Sequence, residues 1–235
     1  MTGTLYLLPN VLSSEAVYEN SLPKRVFDVI LLLDGVIAES EKEARKYLKH
    51  FSTKKILQQM PITILSEHTR ANELEGLLEP MVLGEHWGLL SDAGLPCIAD
   101  PGASLVAIAR KKSIHVEALI GPSAIFLALM LSGLGGQKFT FCGYLPKDKK
   151  ERVQEIQRLE MRSKKEGMTH LCIEAPYRNC DLLADLIATL ESTTRLCVAS
   201  NITAPDQEVV TLFVSEWKRR PLPEIAKKPT IFLFS

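Results

Sequence analysis

Short runs of aliphatic, β-branched and aromatic residues alternate along the first half of the chain with longer amphipathic stretches. This alternation is typical of βα units. The amphipathic stretches predict helices at residues 41–49, where Ser40 is the expected cap, and at about residues 103–112. The first half is therefore predicted to be an α/β domain. Its strands are expected at residues 4–8, 36–38, 62–65, 86–90 and 115–118.

The pattern changes near residue 119. Residues 123–131 follow Gly121-Pro122 and are apolar all round, which predicts a helix buried on every side. A charged helix with one apolar stripe is predicted after Asp148. No linker rich in Gly, Ser or Pro separates the halves, so we expect two closely packed α/β domains, residues 1–118 and 119–235. In the second domain, strands are expected at residues 138–144, 168–174, 195–200, 209–214 and 230–234, with a helix at 179–190.

Composition and charge narrow the functional classes. The chain has 28 basic and 28 acidic side chains, so any attraction to nucleic acid must come from a local basic patch. Its apolar runs are shorter than the roughly 18 residues of a membrane span, and the first ten residues lack the basic region of an export signal. The five cysteines are scattered, without metal-ligand spacing. We expect a cytoplasmic protein with reduced core cysteines, no metal site and no membrane partner.

The most distinctive segment is residues 91–102, Ser-Asp-Ala-Gly-Leu-Pro-Cys-Ile-Ala-Asp-Pro-Gly, between a predicted strand and a predicted helix. Loops in this position bind ligands in open α/β sheets. The glycines allow the backbone to approach a ligand closely, the prolines stiffen the loop, and Asp92 and Asp100 supply hydrogen-bond acceptors. An ordinary strand-to-helix turn is the alternative, but the length and density of the loop favour a ligand site.

Two shorter motifs occupy similar positions. Residues 121–124, Gly-Pro-Ser-Ala, combine small side chains with the free N–H groups of a helix start, which suit a carboxylate or a flat ring. Residues 174–178, Glu-Ala-Pro-Tyr-Arg, follow another predicted strand. Taken alone, the first motif is better explained as a helix cap, and the second is equally well explained as a salt bridge at a helix start.

Together these motifs resemble those of one family. Residues 91–102 resemble the S-D-A-G-T-P-x-I-S-D-P-G signature of the tetrapyrrole methylase superfamily. The likeness is greatest to its RsmI-like branch, which methylates a cytidine ribose 2′-hydroxyl in small-subunit ribosomal RNA. Residues 121–124 resemble the family's G-P-[SC]-A loop, and residues 141–146 resemble F-x-G-F-L-P. Residues 174–178 are similar to E-S-P-H-R, and residues 38–45 take the place of A-E-D-T-R-x-A-R.

The resemblance implies a fold, a cofactor and a partner. The implied fold is two α/β domains of the tetrapyrrole methylase type, usually in a homodimer, with S-adenosylmethionine in the cleft between the domains. Methylation of a ribose 2′-hydroxyl in small-subunit ribosomal RNA is the implied reaction. Carried over position by position, the implied cofactor-binding residues are Ser91, Asp92, Ala93, Gly94, Pro96, Ile98, Ala99, Asp100, Gly121, Pro122, Ser123, Ala124, Glu174, Pro176, Ala204 and Pro205.

The departures from the family pattern fall mostly on the substrate side. The family's P-T-P-I-G-N-L is replaced by Pro-Asn-Val-Leu-Ser-Ser at residues 9–14, and the D-T-R of the acidic motif by Ser-Glu-Lys at residues 40–42. The histidine of E-S-P-H-R is Tyr177. These changes favour two alternatives: a methyltransferase of the same superfamily that acts on a tetrapyrrole or another ring carbon, and a protein that binds the cofactor without turnover.

Methylation of a ribose hydroxyl requires a proton to leave, which a general base accelerates. Glu39, His68 and Glu174 are the candidates for this base, although each is explained at least as well as a surface or capping residue. RNA binding requires cations near phosphates, and a solvated helix face explains the basic clusters equally well. The candidate substrate-binding residues are Lys42, Arg45, Lys147, Lys149, Lys150, Arg152, Tyr177 and Arg178.

Overall fold

The computed structural model describes residues 2–51, 59–66 and 68–235. The chain divides into two compact units, Met1–Ser123 and Ala124–Ser235. The sequence places the boundary slightly earlier, between residues 118 and 119. Each unit contains one five-stranded sheet covered by helices.

The first unit has a parallel sheet in the order β3-β2-β4-β1-β5. Its central strands are largely apolar and buried, because a parallel sheet is covered on both faces, whereas the two edge strands are more polar and more exposed. The described elements of this unit are β1 (Thr4–Leu8), α1 (Tyr18–Ser21), α2 (Lys24–Ile30), β2 (Gly35–Ala38), α3 (Glu41–Lys49), β3 (Ile62–Ile64), α4 (Ala71–Gly76), α5 (Glu79–Val82), β4 (Trp87–Leu90), α6 (Gly102–Lys111) and β5 (His115–Ala118).

Alternate residues of these strands point to opposite faces of the sheet. Leu8 and Val36 pack against residues of α2 and α3, whereas Leu5 and Ile37 pack against residues of α4, α5 and α6. The connections that follow β1 and β4 therefore cover opposite faces. In open α/β sheets such a reversal leaves a crevice at the carboxyl ends of the strands, where ligands bind.

The second unit has a mixed sheet in the order β6-β7-β10-β8-β9. Strand β10 is antiparallel to both of its neighbours, and β6 is parallel to β7, so β6, β7 and β8 end at the same edge. The described elements are α7 (Ala124–Ser132), β6 (Phe139–Tyr144), α8 (Lys149–Glu166), β7 (Thr169–Ile173), a 3₁₀ turn (Pro176–Arg178), α9 (Asn179–Thr189), β8 (Arg195–Ser200), β9 (Glu208–Phe213), α10 (Val214–Trp217) and β10 (Thr230–Phe234).

One prediction about the second unit is wrong. The apolar helix is present as α7, but it is not buried on every side. Phe126 is 51% exposed, Met130 76% and Leu131 48%, whereas Ala128 and Leu129 are buried. Only one side of α7 faces the strands of its own sheet, so an apolar composition all round leaves an apolar surface open.

Other differences are small. The predicted strands and long helices are all present, with bounds that shift by a residue or two, and Ser40 caps α3 as predicted. The short helices α1, α2, α4, α5 and α10 are not predicted. Cys172 and Cys197 are buried in the second sheet, but Cys180 is exposed on α9, contrary to the expectation of core cysteines. Across the described ranges, no helix combines the length and hydropathy that a membrane crossing requires.

Candidate functional site

The loop between β4 and α6 has an unusual backbone. Gly94, Cys97 and Ala99 all have positive φ values, of 69°, 69° and 63°. For residues other than glycine this conformation is strained, and such strain concentrates at functional sites. Asp100 holds the loop, because its carboxylate accepts hydrogen bonds from the backbone N–H of Cys97 at 2.8 Å and of Gly102 at 2.7 Å.

Asn10, directly after β1, fixes the start of the same loop. Its side-chain amide donates to the carbonyl oxygens of Ser91 at 3.2 Å and Asp92 at 2.9 Å. Its backbone N–H donates to the carbonyl oxygen of Gly94 at 2.7 Å. Asn10 is only 5% exposed, so these bonds are shielded from water. Sequence analysis missed this role, although an asparagine at a strand end is a common partner for backbone groups.

Two buried tyrosines support this end of β1. The Tyr18 hydroxyl donates to Oδ1 of Asn10 at 3.3 Å, and the Tyr47 hydroxyl donates to the carbonyl oxygen of Pro9 at 3.1 Å. Burial, followed by the charge of Glu43, raises the pKa of Tyr18 to about 12. Its hydroxyl therefore remains a donor at neutral pH.

The segment after β5 also lies against the end of β1. A Cβ atom at Gly121 would lie 2.1 Å from the Cβ atom of Pro9, so only glycine fits this contact. Gly121, Pro122 and Ser123 are all partly exposed. The structure thus brings two of the sequence motifs, residues 91–102 and 121–123, to one edge of the sheet. Ala124 begins α7 in the second unit.

Glu39, directly after β2, lies at this edge as well. One of its carboxylate oxygens accepts a hydrogen bond from the backbone N–H of Asp92 at 3.4 Å. Burial raises the pKa of Glu39, and the negative charges of Asp92 and Asp100 raise it further, against the lowering effect of that hydrogen bond. Burial also raises the pKa of Asp92 and of Asp100. A carboxylate with a raised pKa suits proton transfer near neutral pH.

The other two candidates for a general base differ from Glu39. His68 is exposed in the turn that follows β3. Glu174, after β7 in the second unit, is buried and forms an ion pair with Arg178, while its other oxygen accepts from the backbone N–H of Ala175 at 2.7 Å. These partners use both carboxylate oxygens of Glu174, whereas one carboxylate oxygen of Glu39 has a partner among the described residues, the backbone N–H of Asp92.

The remaining cofactor candidates of the second unit lie on the edge where β7 and β8 end. Pro176 is exposed at the start of the 3₁₀ turn. Ala204 and Pro205 follow β8 in a turn that Asn201 supports, since its carbonyl oxygen accepts from the backbone N–H of Ala204 at 2.9 Å. Tyr177, in the same 3₁₀ turn as Pro176, is 76% exposed.

Of the seven predicted RNA-binding cations, four are exposed, Arg45 and Arg178 are partly buried, and Arg152 is buried. Lys42, Lys147, Lys149 and Lys150 are exposed, whereas Arg152 is only 8% exposed. The Arg152 guanidinium donates to Asp185 at 2.8 and 2.6 Å and to the carbonyl oxygens of residues 146 and 147. We correct the prediction here, because these buried bonds give Arg152 a structural role. Arg45 is half-buried and donates to Met60 and Glu41.

The residues of the first unit fit S-adenosylmethionine chemically. Ala93, Ile98 and Ala99 present exposed apolar groups that suit a flat purine ring. Asp92 lies at the surface of the loop with its carboxylate partly shielded from water, and it suits ribose hydroxyls or an ammonium group. Residues 91–102 contain no lysine or arginine, so no cation of this loop opposes a positively charged sulfonium.

Comparisons with known proteins agree with the family that the sequence motifs predict. The family model of the Tetrapyrrole (Corrin/Porphyrin) Methylases matches residues 19–217. A protein of Pasteurella multocida (strain Pm70) named ribosomal RNA small subunit methyltransferase I is 30% identical over 210 residues, or 89% of this chain and 70% of that protein. Its namesake from Vibrio cholerae serotype O1 is 31% identical over 201 residues, or 85% of this chain and 65% of that protein. The chain thus spans 65 to 70% of the lengths of these two relatives.

Solved structures show the same fold. The methyltransferase CobJ matches with a TM-score of 0.66 and 13% identity, over 100% of this chain and 94% of its own. The cobalt precorrin-4 methyltransferase CbiF matches with a TM-score of 0.61 and 12% identity, over 99% of this chain and 94% of its own. The predicted fold class, family and methyl donor are confirmed. The chain belongs to the tetrapyrrole methylase family, whose members are S-adenosylmethionine-dependent methyltransferases.

Proposed function

We propose that this protein transfers a methyl group from S-adenosylmethionine to a ribose 2′-hydroxyl of small-subunit ribosomal RNA. The names of its relatives support small-subunit ribosomal RNA as the acceptor, and the resemblance of the motifs to the RsmI-like branch implies the ribose 2′-hydroxyl. The observation that carries the proposal is the position of Glu39, a half-buried carboxylate with a raised pKa that lies against the backbone of Asp92. The edge of the first sheet therefore combines a ligand-binding loop with a group able to accept a proton.

The chemistry divides between cofactor and protein. Bound S-adenosylmethionine supplies the activated methyl group. The strained loop, held by Asn10 and Asp100, fixes the positions of the residues that bind, and this orientation contributes several kcal/mol to the rate. Glu39 accepts the proton that the ribose hydroxyl releases, which contributes about 10²- to 10⁴-fold.

The acceptor RNA is expected to contact the lysines at the start of α8. Lys147, Lys149 and Lys150 are exposed within four residues of each other, at the edge where β6 ends. Within the described part of the chain, Lys149 is the one of these three lysines that has an acidic partner, Asp185 at 3.4 Å. Such a cluster neutralises RNA phosphates and makes binding depend on salt.

The protein is proposed to act as a homodimer in the cytoplasm. The exposed apolar side chains of α7 support the dimer, because a surface of Phe126, Met130 and Leu131 is unfavourable in water. A second copy would cover this surface. Methylation of ribosomal RNA, together with the free cysteines, supports the cytoplasmic location.

Two measurements test the proposed function. Isothermal titration with S-adenosylmethionine is expected to give saturable binding at one site per chain. Transfer of a labelled methyl group is then measured with purified small ribosomal subunits, and the label is located by nuclease digestion. Label on a 2′-oxygen supports the proposal. Label on a base, or transfer only to a porphyrin precursor, would refute it and leave the methyltransferase class intact.

A further inference from the structure

A cavity of about 430 Å³ lies at the edge of the first sheet, near the ends of β3 and β4. This volume falls within the range of about 300–1,000 Å³ that is usual for small-molecule sites. Of the lining residues that the structure describes, Ala99, Asp100 and Pro101 belong to the loop of residues 91–102, and the first two are predicted to bind the cofactor. The lining residues are Leu65, Ser66, Thr69, Leu74, Ala99, Asp100, Pro101 and Ser104.

The lining combines two kinds of surface. Leu65, Leu74 and Pro101 provide apolar walls for a flat ring. Ser66, Thr69 and Ser104 carry hydroxyls that can donate to the edge of a ring, while the hydroxyl oxygens of Ser66 and Thr69 accept hydrogen bonds from the backbone of their own turn. The Asp100 carboxylate is held in place by the backbone N–H groups of Cys97 and Gly102.

The same lining disfavours a phosphate. Among the lining residues that the structure describes, none is a lysine or arginine, and Asp100 is acidic. A phosphate in this cavity would meet negative charge without a cation to balance it. A neutral heteroaromatic ring with polar edges, such as a nucleobase, suits the cavity better.

The cavity adjoins the proposed general base. A smaller space beside it shares Leu65, Asp100 and Pro101 and is also lined by Glu39 and Pro96. This space has a volume of only about 10 Å³, too small for a sugar, but it places Glu39 behind the wall that Leu65, Asp100 and Pro101 form in the larger cavity. Proton removal by Glu39 requires the ribose of a bound nucleotide to approach it along this wall.

We propose that this cavity binds the nucleobase of the acceptor nucleotide, and this inference rests on the proposed function. A base that is stacked between its neighbours in RNA cannot enter a cavity of the protein. It must first leave the stack, which costs a few kcal/mol for a paired nucleotide. The acceptor is then an unpaired or easily unstacked nucleotide. Its ring lies among Leu65, Leu74 and Pro101, and its sugar points toward Glu39.

The test compares two neighbouring positions of α6. Ser104→Phe places a large ring in the cavity, whereas Ala103→Phe adds the same ring at an exposed position that does not line it. Methyl transfer to small ribosomal subunits is measured at saturating S-adenosylmethionine. We expect Ser104→Phe to lower kcat/KM for the subunits by about 10-fold or more. The affinity for S-adenosylmethionine should change by less than about twofold in both variants. A larger loss in Ser104→Phe would assign the cavity to the cofactor, through Ala99 and Asp100, and overturn the proposal.

A second measurement separates this proposal from the proposed function. Binding of free nucleosides, with S-adenosylmethionine saturating, is followed by saturation-transfer NMR in the wild type and both variants. Loss of nucleoside binding in Ser104→Phe alone supports the cavity even if the wild type methylates no ribosomal subunit, a result that refutes the proposed function. If the wild type methylates subunits and Ser104→Phe does so equally well, the cavity proposal is overturned and the proposed function stands.

Discussion

The side-chain amide of Asn10 donates a hydrogen bond of 2.9 Å to the backbone carbonyl oxygen of Asp92, and so joins the end of β1 to the loop after β4. The same amide reaches Ser91, and Tyr18 donates to its oxygen. One buried side chain thus sets the distance between two neighbouring loops. Its substitution is expected to affect ligand binding as well as stability.

Asn10→Ala is expected to lower the free energy of unfolding by about 1–3 kcal/mol, because buried carbonyl groups lose their donor. The affinity for S-adenosylmethionine should fall by about tenfold or more, since the loop is no longer pre-organised. Urea unfolding and isothermal titration measure the two effects. Asn20→Ala, at an exposed asparagine of α1, is the control. A loss of stability with unchanged affinity would show that Asn10 supports only the fold.

Glu39→Gln is expected to reduce methyl transfer by about 10²- to 10⁴-fold if Glu39 is the general base. The base acts when ionised, so wild-type kcat/KM should rise with pH through the raised pKa of Glu39, and this rise should be absent in the variant. Folding raises the pKa of this carboxyl, so its ionisation lowers the stability of the folded protein as pH rises. The neutral glutamine should therefore not destabilise the protein. Glu41→Gln, at an exposed position of α3, is the control. An unchanged pH profile would exclude Glu39.

The strands are predictable from the sequence because most are short runs rich in aliphatic, β-branched or aromatic residues, and several of them have Gly, Pro or Asp at an end. The loop at residues 91–102 was also found, since its density of Gly, Pro and Asp is visible without a structure. Local pattern does not reveal which partner a side chain meets. Asn10 contacts a loop more than 80 residues away, and the burial of Arg152 depends on Asp185 in another helix. Both roles require the tertiary fold.

The exposure of α7 could not be predicted for a related reason. An all-apolar helix is typical of a buried core, and the sequence contains no record of which faces have partners. The positions of Phe126 and Met130 on the open side become clear only when the sheet of the second unit is assembled.

Replacing Lys147 and Lys150 by glutamine is expected to weaken RNA binding and to flatten its dependence on salt. Each lost phosphate contact should reduce the slope of log affinity against log salt by about 1. The affinity is measured by filter binding to small-subunit RNA at several salt concentrations. Lys164 and Lys165 lie at the other end of α8, and their replacement by glutamine is the matched control. Equal slopes for the two double variants would contradict an RNA contact at the start of α8.

Met130→Lys is expected to dissociate the proposed homodimer, because it places a charge in the centre of the apolar surface of α7. Sedimentation velocity measures the mass of the wild type and the variant over a range of concentrations. Met161→Lys, at a methionine of α8 that is 65% exposed, removes a similar side chain from another surface and should leave the mass unchanged. A wild type that is monomeric at every concentration would rule out this dimer.

Arg152→Met tests whether this arginine serves the fold or the substrate. The substitution leaves the Asp185 carboxylate buried without its guanidinium partner. Removing one member of a buried ion pair typically costs about 3–5 kcal/mol, so urea unfolding should show a loss of this size. Combining Arg152→Met with Asp185→Leu should restore part of the lost stability, because no buried charge then remains unpaired. The recovery should be incomplete, since the carbonyl groups of residues 146 and 147 still lack their donor. In the restored double variant, the salt dependence of RNA binding should equal that of the wild type. A flatter salt dependence than that of the wild type would show that Arg152 contacts RNA phosphates.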